Sequence, residues 1–323
     1  MIDLQTAKDV ARNTAKRILR QTVRAILRPG YSSMDRAMQR MALQLGELMS
    51  WRNSEQTELA FHDAEFSTFS QWGEDGIIQY LLERTDLEDH SFVEFGVEDY
   101  SEANTRFLLM KDNWRGLIID ADSRHIDSIL RSDLAWRYEI CAVSAFVRTD
   151  NINELLVGNR MVGDIGLLSI DVDGNDYWIL RAITAVQPRI IICEYNSAFG
   201  RHRAVTVPYD PNFVAAEAHY SRLYFGCSLA ALNHLLSARG YLLVGCESHG
   251  ANAFFVRSDV ARTLSPLTPA AAYVASRFRS ARNEHGQLTY LNGHDAIRAL
   301  IADLPLVDVT TGDHLLVGDL PVD

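Results

Sequence analysis

Between residues 61 and 258 the chain alternates short apolar runs with helical segments, and this alternation restricts the fold more than any other feature. Residues 91–96, 116–120, 138–144, 165–171 and 189–195 each have the near-continuous apolar character of a strand buried on both faces. Helical segments lie between them, at 102–111, from 123, near 151–157 and at 175–186. After a long loop come a helix at 228–239 and two strands, 241–246 and 252–257, with no helix between the strands. Parallel strands need a crossover connection, so the first five predict an α/β fold: a doubly wound, mostly parallel, Rossmann-like sheet with helices on both faces. The last two strands predict an antiparallel pair at one edge. Ligands in such sheets bind beyond the carboxyl ends of the strands.

Two further regions flank this domain. Residues 1–60 read as an N-terminal helical region. Lys8, Arg12, Lys16, Arg20, Arg24 and Arg28 recur four residues apart, with Leu4 ahead of them and Ile18, Val23 and Leu27 between them, until Pro29-Gly30 ends the helix. A second helical run, 34–51, carries Met41, Leu43, Leu45 and Leu48. These helices are expected to pack on the core or on a second copy as a homo-oligomer. The competing reading is contact with an anionic membrane surface. Residues 259–323 predict a helix near 294–304 and a mixed apolar and acidic tail, either a dimer element or a lid.

Composition bounds the function. The chain is 47% hydrophobic, enough for one full core with appendages. A net charge of -11 argues against a nucleic-acid binder, which would show a basic face. Cys141, Cys193, Cys227 and Cys246 are widely spaced, three of them in apolar runs, and read as buried thiols in a reducing compartment. No apolar run approaches the about 18 residues of a membrane span. A cytoplasmic protein is expected, peripheral to the inner membrane if the N-terminal helices bind lipid.

The strand ends hold the candidate chemistry. At the first, Val93-Glu94-Phe95-Gly96, a dinucleotide would want the three glycines of G-x-G-x-x-G, and only Gly96 is present. S-adenosylmethionine has no phosphate and tolerates such a turn. It needs one close backbone approach and a helix N-terminus for its carboxylate. Glu94 inside the strand is costly to bury without a role or a partner, and a structural salt bridge is the alternative. Asp120 ends the second strand at the spacing from Gly96 expected of a ribose-binding acid. The fourth strand ends Ser169-Ile170-Asp171-Val172-Asp173-Gly174-Asn175-Asp176, and the fifth Cys193-Glu194-Tyr195-Asn196. Asp171, Glu194 and Asn196 are candidate oxygen ligands for Mg²⁺ or another divalent cation that would activate a substrate hydroxyl. Direct contact of Asp171 with substrate, as a base, is the metal-free alternative. His202, in the loop after the fifth strand, and His249, between the last two strands, are candidate general bases.

Several of these runs occur in order: Ser70-Gln71-Trp72-Gly73-Glu74-Asp75-Gly76, Val93-Glu94-Phe95-Gly96, Asn104-Thr105-Arg106, Gly116-Leu117-Ile118-Ile119-Asp120, then the fourth and fifth strand ends and Asn252-Ala253-Phe254-Phe255-Val256-Arg257. Together they resemble a bacterial methyltransferase family related to the FkbM-type, S-adenosylmethionine-dependent class I methyltransferases, often linked with polysaccharide and other glycan biosynthesis. The resemblance spans about 66–257. It implies a cofactor site at Glu94, Gly96 and Asp120, with Gln71, Asn104 and Thr105 lining the methionine end. It departs from the broader motif in the first turn, where Glu98, Asp99 and Tyr100 stand in place of further glycines. The implied activity is O-methylation of a sugar hydroxyl on a glycan or a small glycosylated acceptor. Two other readings stand beside it. One is a nucleotide-sugar glycosyltransferase using Asp171-Val172-Asp173 to hold a metal and a diphosphate. The other is a non-catalytic adaptor acting through its N-terminal helices.

Overall fold

The computed structural model describes residues 34, 36–172 and 174–321. The basic helix expected within 1–28 and the middle acid of the fourth-strand motif, Asp173, lie outside them. Contacts divide the chain into two units, 1–48 and 49–323. In the first, residues 36–48 are helical; this helix, α1, ends at residue 54. Met38, Met41, Leu45 and Leu48 are exposed along it. Among the described residues no helix is long and apolar enough to cross a membrane.

The second unit is built on a seven-stranded sheet in the order β3-β2-β1-β4-β5-β8-β7. Its strands are β1 Ser91–Phe95, β2 Arg115–Asp120, β3 Ile140–Ser144, β4 Gly163–Ile170, β5 Val186–Glu194, β7 Tyr241–Cys246 and β8 Asn252–Arg257. The first five pair in parallel. β8 runs antiparallel to both β5 and β7 and lies between them. The expected doubly wound fold with an antiparallel strand is therefore present. The strand order reverses between β1 and β4, which opens the crevice typical of such sheets at their carboxyl ends.

Side chains alternate across the sheet with the period of two that a pleated strand imposes. Val93, Phe95, Leu117, Ile119, Leu168, Ile170, Ile191 and Cys193 fill one core. There they meet α6 (Ile152–Gly158), α7 (Asp176–Ala182) and α9 (Leu229–Ser237). Phe92, Ile118, Leu167, Ile190 and Ile192 fill the other, against α2 (Glu74–Glu83), α3 (Arg106–Lys111) and α4 (Ser123–Leu130). At ~25 cal/mol per Å² of apolar area, these two layers supply most of the driving force for folding. Cys193, Cys227 and Cys246 are buried free thiols, whereas Cys141 is exposed on β3.

Several boundaries differ from expectation. β5 begins at Val186, so Pro188 lies inside the strand. β8 pairs with β5 only from Ile190 onward, leaving that flank of Pro188 without a ladder to disrupt. A short helix, α5 (Leu134–Arg137), precedes β3. Beyond α8 (Ala215–Ala218) and α10 (Pro269–Ala272), the C-terminal segment adds α11 (His294–Leu300) and two strands, β9 Pro305–Asp308 and β10 His314–Leu316. These form a small sheet with β6 (Val205–Thr206) in the order β10-β9-β6. Phe199, Tyr224, Ile301, Leu306 and Val317 make its separate core.

Candidate functional site

A cleft of about 510 Å³ opens at the carboxyl ends of β1, β2, β4 and β5. That is within the ~300–1,000 Å³ of small-molecule sites. Gly96, Asp120, Asp171 and Glu194, four of the residues expected to carry function, line it. Glu98, Asp122, His125, Phe146, Phe213, Arg222 and Phe278 contribute further wall.

Gly96 holds this arrangement together. Its φ is +73°, and a Cβ there would lie 1.7 Å from the backbone oxygen of Asp171. The close approach expected of a ligand is thus made, in part, by the protein itself: the end of β4 packs directly on the turn after β1. The same constraint brings Asp171 to the cleft wall.

Asp120 is fixed by backbone donors. Its Oδ2 accepts from Glu98 N–H at 2.8 Å, and its Oδ1 from Asp122 N–H at 2.8 Å. The ring of His125 stands 3.3 Å from Oδ1. A carboxylate has about four acceptor positions, so one remains for a ligand hydroxyl, with the imidazole beside it as a second polar group. Asp122 caps α4 through Arg124 N–H, and its contacts with Arg124 hold its carboxyl below the usual carboxylate range.

The other residues named by the resemblance stand behind the cleft rather than on it. Glu94 is buried on the α2–α3 face of the sheet. Its carboxylate accepts from Asn104 N–H at 2.8 Å, Thr105 N–H at 3.1 Å and Thr105 Oγ1 at 2.5 Å. Burial raises its pKa, and those donors oppose the rise. It satisfies orphan donors at the start of α3, which is a reason to bury an acid without any ligand. Asn104 also donates to Ser169 Oγ at 3.1 Å, which ties the α3 entrance to β4. Gln71 is exposed at a turn and does not line the cleft.

The Ser70–Gly76 motif has a packing explanation. Asp75 Oδ2 gathers the N–H groups of Thr68, Phe69 and Ser70 at 2.7, 2.6 and 2.9 Å. A Cβ on Gly76 would meet Ala64 O at 2.0 Å. Glu74 accepts from Trp72 N–H and from Asn252 Nδ2 at 2.9 and 2.8 Å, joining the motif to β8. Burial pushes the Glu74 carboxyl up to about 7.

The expected cation triad does not assemble. Asn196 Oδ1 accepts from Ala198 N–H at 3.0 Å, while its Nδ2 donates to Leu223 O and Phe225 O at 3.0 and 3.1 Å. The amide is buried and its donors and acceptor are engaged. Only Asp171 and Glu194 of the three line the cleft, and among the described residues no cluster of three acids, histidines or cysteines is placed to hold a metal. These side chains do not fit the divalent cation.

His202 is exposed and outside the cleft wall. His249 stacks on Trp72 at 4.1 Å with 14° between the rings, and Trp72 meets Phe278 edge-on at 5.9 Å. Phe278 lines the cleft, so His249 is separated from it by two aromatic side chains. The His249 backbone belongs to a turn organised by buried Glu247, whose Oε1 accepts from Asn252 N–H at 3.0 Å and whose Oε2 accepts from Gly250 N–H at 3.2 Å. Sequence reasoning missed Arg222, His125 and Phe278. Their positions in the cleft depend on tertiary contacts that no local pattern announces.

No protein-family model matches the chain, and no curated protein matches it. Among solved structures, the O-methyltransferase from Bacillus cereus in complex with SAH is similar at 17% identity. That likeness covers 68% of this chain and 89% of the other, with a TM-score of 0.36. M. capricolum TrmK in complex with S-adenosyl-homocysteine is 11% identical over 62% and 74% of the two chains, with a TM-score of 0.34. The N-terminal domain of EvdMO1, in the presence of SAH and D-fucose, is 10% identical over 57% and 81%, with a TM-score of 0.36.

Proposed function

We propose that this chain is an S-adenosylmethionine-dependent methyltransferase that methylates a sugar hydroxyl on a glycan or glycosylated metabolite. The observation that carries the reading is Asp120: a carboxylate fixed at the end of β2 by two backbone N–H groups, one strand from the β1–β4 switch point, lining a cleft of cofactor size. Gly96 is the one glycine of the turn after β1, so the loop lacks the glycine series that a pyrophosphate wants. A nucleoside ligand without phosphates fits such a turn better.

S-adenosylmethionine supplies an electrophilic methyl group on a cationic sulfur. Asp120 would accept a ribose hydroxyl, with His125 beside it. Glu98, Asp171 and Glu194 give the cleft wall a negative potential that favours a cationic ligand. Holding the acceptor oxygen in line with the methyl is the main contribution required of the protein. Asp171, on the wall where β4 meets β1, would take the hydroxyl proton. No step runs through a metal, because Asn196 is committed to the backbone.

The test is calorimetry with S-adenosylhomocysteine on the full chain, compared with a UDP-sugar in the presence of Mg²⁺. Binding of S-adenosylhomocysteine is expected, weakened about tenfold or more by Asp120→Ala, the scale of one hydrogen bond to a charged group. Binding of the UDP-sugar with no response to S-adenosylhomocysteine would refute the reading in favour of a glycosyltransferase.

A further inference from the structure

Arg222 lines the cleft and is exposed there. Its φ is +60°, a left-handed conformation that a residue with a Cβ avoids. The surrounding loop enforces it. Arg222 N–H donates to His219 O at 2.9 Å. Ser221 Oγ pairs with His219 Nδ1 at 2.7 Å and accepts from Leu223 N–H at 3.3 Å. On the far side, the buried Asn196 amide holds Leu223 O and Phe225 O. Of the six described non-glycine residues with positive φ, Arg222 and Glu98 are the two that line the cleft.

The charge around it is one-sided. Among the described residues, the cleft wall carries the carboxyl groups of Glu98, Asp120, Asp122, Asp171 and Glu194, and Arg222 is its one guanidinium. Among the described residues, no salt bridge or side-chain hydrogen bond engages that guanidinium. An acidic wall repels anions everywhere except at this corner. Asn196, which clamps the loop, follows the end of β5, and β5 lies two strands from β1 on the side opposite Asp120. At ~4.8 Å per strand that is about 10 Å, so Arg222 sits over the half of the cleft away from the proposed nucleoside half.

Resting on the methyltransferase reading, we propose that Arg222 is an anion receptor for the acceptor, so that the substrate is an acidic sugar bearing a carboxylate or a phosphate rather than a neutral one. A guanidinium offers planar, paired donors that match either group. Arg222 lines the cleft, and the Asn196 amide fixes the loop that carries it through Leu223 O and Phe225 O.

The experiment is titration calorimetry on the full chain saturated with S-adenosylhomocysteine, using D-glucuronate, glucose 1-phosphate and D-glucose as probes. At least one of the two anions is expected to bind about tenfold or more tightly than glucose, and which one does so identifies the anion. Arg222→Gly should abolish that preference without lowering the melting temperature, because glycine relaxes the positive φ. Arg222→Gln, which keeps most of the side-chain bulk without the charge, should abolish it too. S-adenosylhomocysteine affinity should stay within twofold in both variants. Equal or undetectable affinity for all three sugars, or a preference that survives both substitutions, overturns the proposal. So does a tenfold loss of S-adenosylhomocysteine affinity, which would assign the guanidinium to the cofactor's carboxylate. Failure of the wild type to bind S-adenosylhomocysteine refutes the methyltransferase reading instead, and the sugar comparison is then made on the ligand-free protein.

Discussion

Replacing Gly96 by alanine separates two roles for the glycine after β1. If it were needed only so that a ligand can approach, Gly96→Ala would leave the ligand-free protein as stable as before and would cost only affinity. The structure requires a different result. The new Cβ would stand 1.7 Å from Asp171 O, more than an ångström short of the 3.0 Å that real Cβ atoms respect, and the obstacle is backbone rather than the end of a flexible side chain. Holding φ at +73° adds about 1–2 kcal/mol for a residue with a Cβ. Forcing the β1 and β4 ends apart adds about 1–3 kcal/mol, as overpacking does elsewhere. The sum, about 2–5 kcal/mol, is a large share of the ~5–15 kcal/mol by which a domain is stable. For a unit of this size it corresponds to a melting temperature lower by roughly 5–15 °C. Thermal and urea unfolding of the ligand-free variant measure it directly. A variant that melts within about 1 °C of wild type, whatever its affinity, would refute the argument that Gly96 is a packing residue.

Two further outcomes follow from the buried polar groups. Glu74 is raised by burial from 4.5 to about 7, so its contribution to stability is complete below pH ~4.5 and is lost as the pH climbs towards 7, by up to about 3 kcal/mol. Urea unfolding at pH 5, 6, 7 and 8 should show Glu74→Gln with a shallower decline than wild type over that window. Parallel curves would remove Glu74 as the cause. Asn196→Asp keeps an acceptor for Ala198 N–H and removes the donors to Leu223 O and Phe225 O. It should lower stability by about 2 kcal/mol or more and create no Mg²⁺ affinity by calorimetry. A variant that gains Mg²⁺ binding would restore the cation site that the wild-type amide blocks.

The sheet was legible in the sequence because apolar period and loop length follow directly from parallel pairing. β1, β2, β4 and β5 end close to where their apolar runs end, which is why Gly96, Asp120, Asp171 and Glu194 were all identified. What the residues at those ends do was less legible. Glu94 reads as a costly buried acid, and only the structure shows that Asn104 and Thr105, ten and eleven residues on, present the donors it satisfies. The same contact explains why α3 begins at Arg106 rather than at Glu102. Asn196 has the chemistry of an oxygen ligand, and its commitment to Leu223 O and Phe225 O spans 27 and 29 residues without a local pattern. The β6–β9–β10 sheet joins strands of two, four and three residues, below the length at which periodicity can be read, and β6 lies about a hundred positions before β9. Arg222 is an ordinary surface cation in the sequence. Its place on the cleft wall comes from a loop fold that no local pattern announces.

The placement of β8 has a consequence for how the chain is made. β8 fills the gap between β5 and β7, yet it follows both of them in sequence. As the protein leaves the ribosome, β7 emerges with no sheet neighbour, and β5 waits with one flank bare. Both are rich in apolar side chains, and exposed strand edges of that kind recruit other chains. The sheet can be sealed only when residues 252–257 have been synthesised. A nascent chain stalled or cut before Asn252 would carry the bare flank of β5 and an unpaired β7 together with all five parallel strands. Interruption there should yield aggregates rather than a smaller soluble domain. The last strand of the seven-stranded sheet to arrive acts as its keystone, and through Asn252 it also secures Glu74 and the turn beside it.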